Sequence, residues 1–281
     1  MKQGLYYEKL NESRVQCRLC PHRCIMGTGE IGKCGVRKNI EGELISLNYG
    51  KISGLHMDPI EKKPIHFYMK GTQTLSVGSY GCNFHCPFCQ NYTIAKSVPL
   101  TIEMGPEDIV REALQRGAPS ISFTYNEPTV FYEMVLDTAK LGKKKGLKNI
   151  LVTNGYMEKE PLKELMPFID ATNVDLKGFN SQRYRKVFGG NLEIVKQNIG
   201  YFHQNLHLEV TTLVVTGIND QKAELISLFQ WLAAISPEIP LHLNRYYPSY
   251  EYHEAPTDID FLLEMKGEAK KVLKRVRCGN F

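Results

Sequence analysis

From about residue 71 the sequence alternates between short β-rich apolar runs and stretches of helical periodicity, and few folds accommodate that alternation. The runs are Thr74–Tyr80, Ser120–Thr124, Asn149–Thr153, Ala171–Leu176, His207–Thr216 and Leu241–Asn244. Between the first two, PEDIVREALQRG (106–117) opens on Pro106 and closes on Gly117, the start and stop signals of a helix. Segments 129–146, 159–168, 192–204 and 221–235 follow the same logic. Strands separated by helices pair in parallel, because each helix carries the chain back to the starting edge. About six such units in ~200 residues predict an α/β fold, an open sheet or a partial (β/α)6 TIM-like barrel. Either architecture gathers its working residues at the C-terminal ends of the strands.

Residues 1–70 break the pattern. They hold four cysteines, several glycines and a β-like stretch at Glu43–Tyr49, and read as a Cys-rich N-terminal extension with a candidate metal site. Residues 71–281 then form the barrel. There is no internal repeat and no low-complexity segment.

Composition excludes several classes. The chain is 42% hydrophobic and 23% charged, which is globular, and it has no run of 18 apolar residues to span a membrane. MKQGLYYEKLNESR lacks the apolar core of a signal peptide, so a cytoplasmic location is expected. The net charge is +5, and its densest run, Lys143-Lys144-Lys145, reads as the solvated end of a helix rather than a nucleic-acid patch.

Seven of the eight cysteines fall in two groups, at 17, 20, 24, 34 and at 82, 86, 89; Cys278 stands alone and reads as an inert thiol. In a large chain from a reducing compartment such groups bind metal rather than form a disulfide framework. GCNFHCPFCQN (81–91) spaces its cysteines C-x3-C-x2-C, one ligand short of an ordinary zinc or iron–sulfur site. Either a fourth thiolate comes from the N-terminal group, or one iron of a cubane is left open for a small chelating molecule. The first N-terminal group, C-x2-C-x3-C-x9-C, suits a zinc, a second cluster, or free thiols with substrate or redox roles.

The 82–89 loop resembles the signature of radical S-adenosylmethionine (SAM) enzymes, including an aromatic, Phe88, before the last cysteine. The resemblance implies a four-iron, four-sulfur (4Fe–4S) cluster on Cys82, Cys86 and Cys89, with the amine and carboxylate of SAM on the open iron. It implies reductive cleavage of SAM to a 5′-deoxyadenosyl radical that abstracts hydrogen from a substrate the sequence does not name. Phe88 is expected near the adenine. In SFTYNEPTV (122–130), Glu127 matches the family's carboxylate for the SAM amine, with Asn126 adding a hydrogen bond. Asn154 follows the third strand. Asp175 and Lys177 of VDLKGF alternate with apolar neighbours, so both face one side, paired with each other or placed on a zwitterionic cofactor; the second is favoured.

TNG, DLK and VVTGIND resemble the pyruvate formate-lyase activating enzyme branch over about residues 74–248. That branch carries an acidic residue where this chain has Val152, an arginine at Thr211 and a histidine at Tyr247, which weakens the alternative of a glycyl-radical-enzyme activase. The N-terminal cysteines, YNEP and DPIEKKP (58–64) resemble the radical SAM component of the AmmeMemoRadiSam system. That implies a low-potential electron donor and Memo-like and AMMECR-like proteins as partners. A third reading is a non-catalytic, metal-stapled scaffold or electron carrier. His56, Asp58, His242, Arg245 and Tyr247 are the expected substrate-pocket residues.

Overall fold

The computed structural model describes all 281 residues. Eight strands form one sheet: β1 (Gly54–Pro59), β2 (Gln73–Gly78), β3 (Ser120–Phe123), β4 (Lys148–Thr153), β5 (Ala171–Asp175), β6 (His207–Val214), β7 (Leu241–Arg245) and β8 (Val276–Gly279). They lie side by side in chain order. Every neighbouring pair from β2 to β8 is parallel, and β1 joins β2 antiparallel. Helices α1 (Pro106–Gln115), α2 (Tyr132–Lys144), α3 (Lys159–Leu165), α4 (Leu192–Asn205), α5 (Lys222–Ile235) and α6 (Ile259–Lys270) connect successive parallel strands. The result is the expected partial (β/α)6 barrel, with a strand added at each edge. Strand β1 lies within the segment expected to belong to the N-terminal extension.

The strand pattern explains the curl. Outward residues such as Leu75, Val77, Ile121 and Phe123 are fully buried in the core under the helices. Their alternates face the lumen and are polar: Thr74 and Ser122 hydrogen-bond each other at 2.8 Å across β2 and β3.

The segment between β1 and β2 plugs the N-terminal end of the barrel. Ile60 and Ile65 pack on Ile150 and Ala171. The Asn173 amide donates to the Pro64 carbonyl at 2.9 Å. Glu209, fully buried on β6, accepts from the backbone amides of His66 and Phe67 and from the rings of His207 (2.9 Å) and His242 (2.6 Å).

The N-terminal region is a set of short antiparallel ribbons, Tyr7–Lys9 with Val15–Cys17 and Ile25–Met26, and Arg37–Ile40 with Glu43–Ser46 and Lys2–Gln3. A buried bidentate pair, Arg37 to Glu133 with both bonds at 2.7 Å, fastens it to α2. Glu133 also accepts from the Leu5 amide at 2.8 Å. Neither ion faces water, so the pair holds only because both bonds are made.

Candidate active site

The loop after β2 carries the three cysteines, and buried asparagines fix its path. Asn126 accepts from the Ser79 amide at 2.9 Å and donates to the Gly81 carbonyl at 3.1 Å, pinning the loop's entry. Asn83, inside the loop, donates to the Tyr156 carbonyl at 2.9 Å and accepts from the Asn154 side chain at 2.8 Å. Its own carbonyl accepts from the His22 ring at 2.7 Å. Gly81 has φ +87°, and a Cβ there would stand 2.7 Å from the Cys34 carbonyl, so only glycine lets the loop lie against the N-terminal ribbons.

The thiols of Cys82, Cys86 and Cys89 are free and open into one cavity of about 250 Å³ at the C-terminal mouth of the barrel. The Phe84 amide points at Cys82 Sγ from 3.4 Å. Burial pushes the Cys82 and Cys86 thiols above the usual thiol range, and the Glu127 carboxylate adds to this at Cys82. An uncompensated thiolate is therefore disfavoured at these two positions.

Glu127 reaches the same cavity from the turn after β3. Its Oε1 accepts from the Thr129 amide (3.0 Å), the Thr129 hydroxyl (2.7 Å) and the Thr153 hydroxyl (2.7 Å). Its Oε2 accepts one bond, from the Asn154 amide at 2.8 Å. Burial raises its pKa above the carboxylate range despite these donors. The turn is strained: Tyr125 sits at φ +69°, in the left-handed region. Its hydroxyl donates to Asp58 at 2.7 Å.

Asp175 and Lys177 arrive from the end of β5 and pair with each other at 3.2 Å. Burial would lower the Lys177 pKa, but the Asp175 charge, with Cys86 behind it, more than offsets this and raises it. Phe88 is buried, with edge-on contacts to Phe188, Tyr246 and Tyr252. Thr211 lines the cavity with a buried hydroxyl that has no partner.

All the residues singled out around the three cysteines, namely Phe88, Asn126, Glu127, Asn154, Asp175 and Lys177, line this cavity. Asn126 and Asn154 spend their side chains on the loop, and Asp175 and Lys177 make the mutual pairing that their alternation allowed. Tyr125, Thr211, Asn244 and Asn280 also line it, and Asn83 was missed although it sits in GCNFHC. Cys17, Cys20, Cys24 and Cys34 lie outside it. So do the expected substrate residues. His242 is on the barrel floor, Asp58 pairs with Lys63 at 2.8 Å, and Arg245 donates to the Thr257 carbonyl and the Tyr247 hydroxyl.

The sequence profile of the radical SAM superfamily matches residues 76–229, from β2 into α5. The chain belongs to the radical SAM superfamily. An uncharacterized protein of Methanocaldococcus jannaschii is 41% identical over 287 residues, covering 100% of this chain and 85% of its own length. A putative glycyl-radical enzyme activating enzyme of the same organism is 26% identical, covering 72% of this chain and 78% of its own. Among solved structures, Streptococcus suis SuiB bound to S-adenosylmethionine superposes with a TM-score of 0.58 at 15% identity, over 72% of this chain and 48% of SuiB. QueE from Escherichia coli superposes with a TM-score of 0.53 at 15% identity, over 84% of this chain and 95% of QueE. The shared fold is the radical SAM barrel.

Membership makes the protein a radical SAM enzyme, and the cofactors of this family are a 4Fe–4S cluster and SAM. The donor set fits them. Three free thiols on one loop suit three irons of a cubane. The cavity adds a carboxylate oxygen with spare accepting capacity, an acid–base pair and an unpartnered hydroxyl, a set suited to a molecule bearing both an ammonium and a carboxylate. No helix is long and apolar enough to cross a membrane.

Proposed function

We propose that this protein is a radical SAM enzyme of the AmmeMemoRadiSam kind, in which Cys82, Cys86 and Cys89 hold the cluster and the wall opposite them holds SAM. The observation that carries this is the convergence of the three thiols with Glu127, Asp175 and Lys177 on one cavity at the C-terminal mouth of the barrel. When bound, the cluster and SAM supply one-electron cleavage of a carbon–sulfur bond, giving a 5′-deoxyadenosyl radical for hydrogen abstraction.

The chain supplies position and shelter. Glu127 Oε2 accepts from the SAM ammonium, and its fixed bonds to Thr129 and Thr153 keep it from turning away. Lys177 orients the SAM carboxylate, while Asp175 and Asn154 serve the ribose or carboxylate. Phe88 covers the adenine, held upright by its edge-on ring contacts. Asn126 acts by holding the loop at Ser79 and Gly81. The N-terminal cysteine stretch with YNEP and DPIEKKP supports the AmmeMemoRadiSam assignment, and with it a low-potential donor and Memo-like and AMMECR-like partners. A glycyl-radical activase is the second reading, favoured by the relative whose name carries that activity. Val152 and Thr211, in place of that branch's acid and arginine, count against it.

The test is anaerobic reconstitution followed by SAM and dithionite. The wild type should release 5′-deoxyadenosine, and the Cys82→Ala/Cys86→Ala/Cys89→Ala variant should release none. Equal release from the triple variant would overturn the assignment.

A further inference from the structure

DPIEKKP (58–64) and YNEP (125–128) are distant in the sequence and meet in the fold. The first covers the end of β1 and the start of the plug, and the second is the turn after β3 that presents Glu127. The Tyr125 hydroxyl reaches across 67 positions to donate to Asp58 Oδ2 at 2.7 Å. The same oxygen accepts from the Lys63 ammonium at 2.8 Å. That ammonium stands 4.6 Å from the centre of the Tyr125 ring, within range of its π face. Asp58 and Lys63 are both buried.

The ring also has a seat. Gly54, His56 and Asp58 alternate along β1 and share one face, and the Tyr125 side chain runs along it. Gly54 faces Gly78 in the β1–β2 ladder. A Cβ on Gly54 would stand 3.1 Å from the Tyr125 ring, and one on Gly78 2.9 Å from it. The facing glycines therefore open a slot that the ring fills. His56 meets it edge-on, with centroids 6.0 Å apart.

A tyrosine at φ +69° persists only where its surroundings fix it. Here the side chain is fixed by β1, β2 and the plug, and the backbone it holds sets both halves of the cavity. The Tyr125 carbonyl accepts from the Asn91 side chain at 2.8 Å, just beyond Cys89. Asn126 holds the entry of the same loop at Ser79 and Gly81. Glu127 follows directly. Three consecutive residues thus tie down both ends of the cysteine loop and the carboxylate that faces it.

We infer that Asp58 and Lys63 are positioning residues for SAM: they clamp Tyr125 and so fix where Glu127 stands relative to the three cysteines. This role rests on the reading of Glu127 as acceptor for the SAM ammonium. An ion pair that served stability alone would leave SAM binding by the folded protein unchanged.

The experiment titrates SAM calorimetrically into the reconstituted full-length protein, with circular dichroism as the folding control. Tyr125→Phe keeps the ring in its slot and removes only the hydroxyl bond. It should weaken SAM binding about 3–10-fold. Because Tyr125 acts through Glu127, Tyr125→Phe/Glu127→Gln should bind SAM no more weakly than Glu127→Gln alone. Should Tyr125→Phe misfold, Asp58→Ala/Lys63→Met takes its place with the same expectations, since it removes both buried charges together. Wild-type affinity in the folded variant overturns the inference and leaves the functional reading standing. So does a combination with Glu127→Gln in which the two losses multiply. A wild type that binds no SAM overturns both.

Discussion

Glu127 at the mouth of the barrel and Glu209 at its floor are both buried carboxylates inside the same lumen, and their surroundings treat them in opposite ways. Around Glu209 both oxygens are taken up by two backbone amides and two histidine rings. Burial alone would raise its pKa, but His207, His242 and the amides of His66 and Phe67 outweigh it and hold it at about 2. Around Glu127 the donors crowd one oxygen, the other keeps a lone pair free, and burial prevails. One layer up from the floor, the Thr211 hydroxyl has no partner at all. Of these two carboxylates, the saturated one serves the structure of the barrel, and the one with a free lone pair faces the cavity.

The contrast can be broken at several points. The largest effect should come from Cys86→Ala, which is expected to lower 5′-deoxyadenosine formation at least a thousandfold, about 4 kcal/mol in barrier terms. Circular dichroism should show the fold intact. At the floor the effects should be reversed. Glu209→Gln places an amide group against four fixed donors and should cost on the order of 3–5 kcal/mol in denaturant unfolding. SAM affinity in the folded fraction should stay within about twofold; a large loss of affinity with unchanged stability would undo the distinction between the two ends.

The same carboxylate governs acid stability. Its folded pKa lies below the unfolded value near ~4.3, so its contribution of roughly 3 kcal/mol is complete above that pH. It is lost as pH falls from about 4 towards 2. Unfolding titrations should show that slope in the wild type and a shallower one in Glu209→Gln. Glu127→Gln should weaken SAM binding by about 10–100-fold, in line with loss of a charge-assisted bond, and shift the melting temperature little. The smallest effect should be that of Thr211→Val. Removing an unpartnered buried hydroxyl is expected to raise stability by up to about 1 kcal/mol while weakening SAM binding only a few-fold.

The parallel barrel was legible because strand and helix periods differ and alternate. The strand read at Ser120–Thr124 is Ser120–Phe123, and the helix read at 192–204 is Leu192–Asn205. The edges were not legible. Strand β1, GLHMDP, begins with Gly and ends with Pro, and it pairs antiparallel only because β2 lies ready beside it. Strand β8 is four residues long, and Gly267 weakens the signal of α6 just before it. At the mouth the loop and its opposing carboxylate could be read, because their spacing is local. The floor could not: His242 was expected in the substrate pocket, and register places it opposite Thr211, where it points down to Glu209. Asn83 was hidden for a similar reason, since its three bonds run to residues 22, 154 and 156.

The plug at the barrel floor also bears on how the chain folds. Residues 60–69 are synthesised before strands β2 to β8, and their partners lie far downstream. Pro64 meets Asn173 across 109 positions, and His66 meets Glu209 across 143. Such contacts cannot form until most of the chain has left the ribosome, and closing loops of that length slows the search. The stopper must wait, with Ile60 and Ile65 uncovered, while β5, β6 and β7 are made around it. The base of this barrel therefore cannot be sealed before β6 is made, and an interrupted synthesis would leave a sticky segment exposed to chaperones.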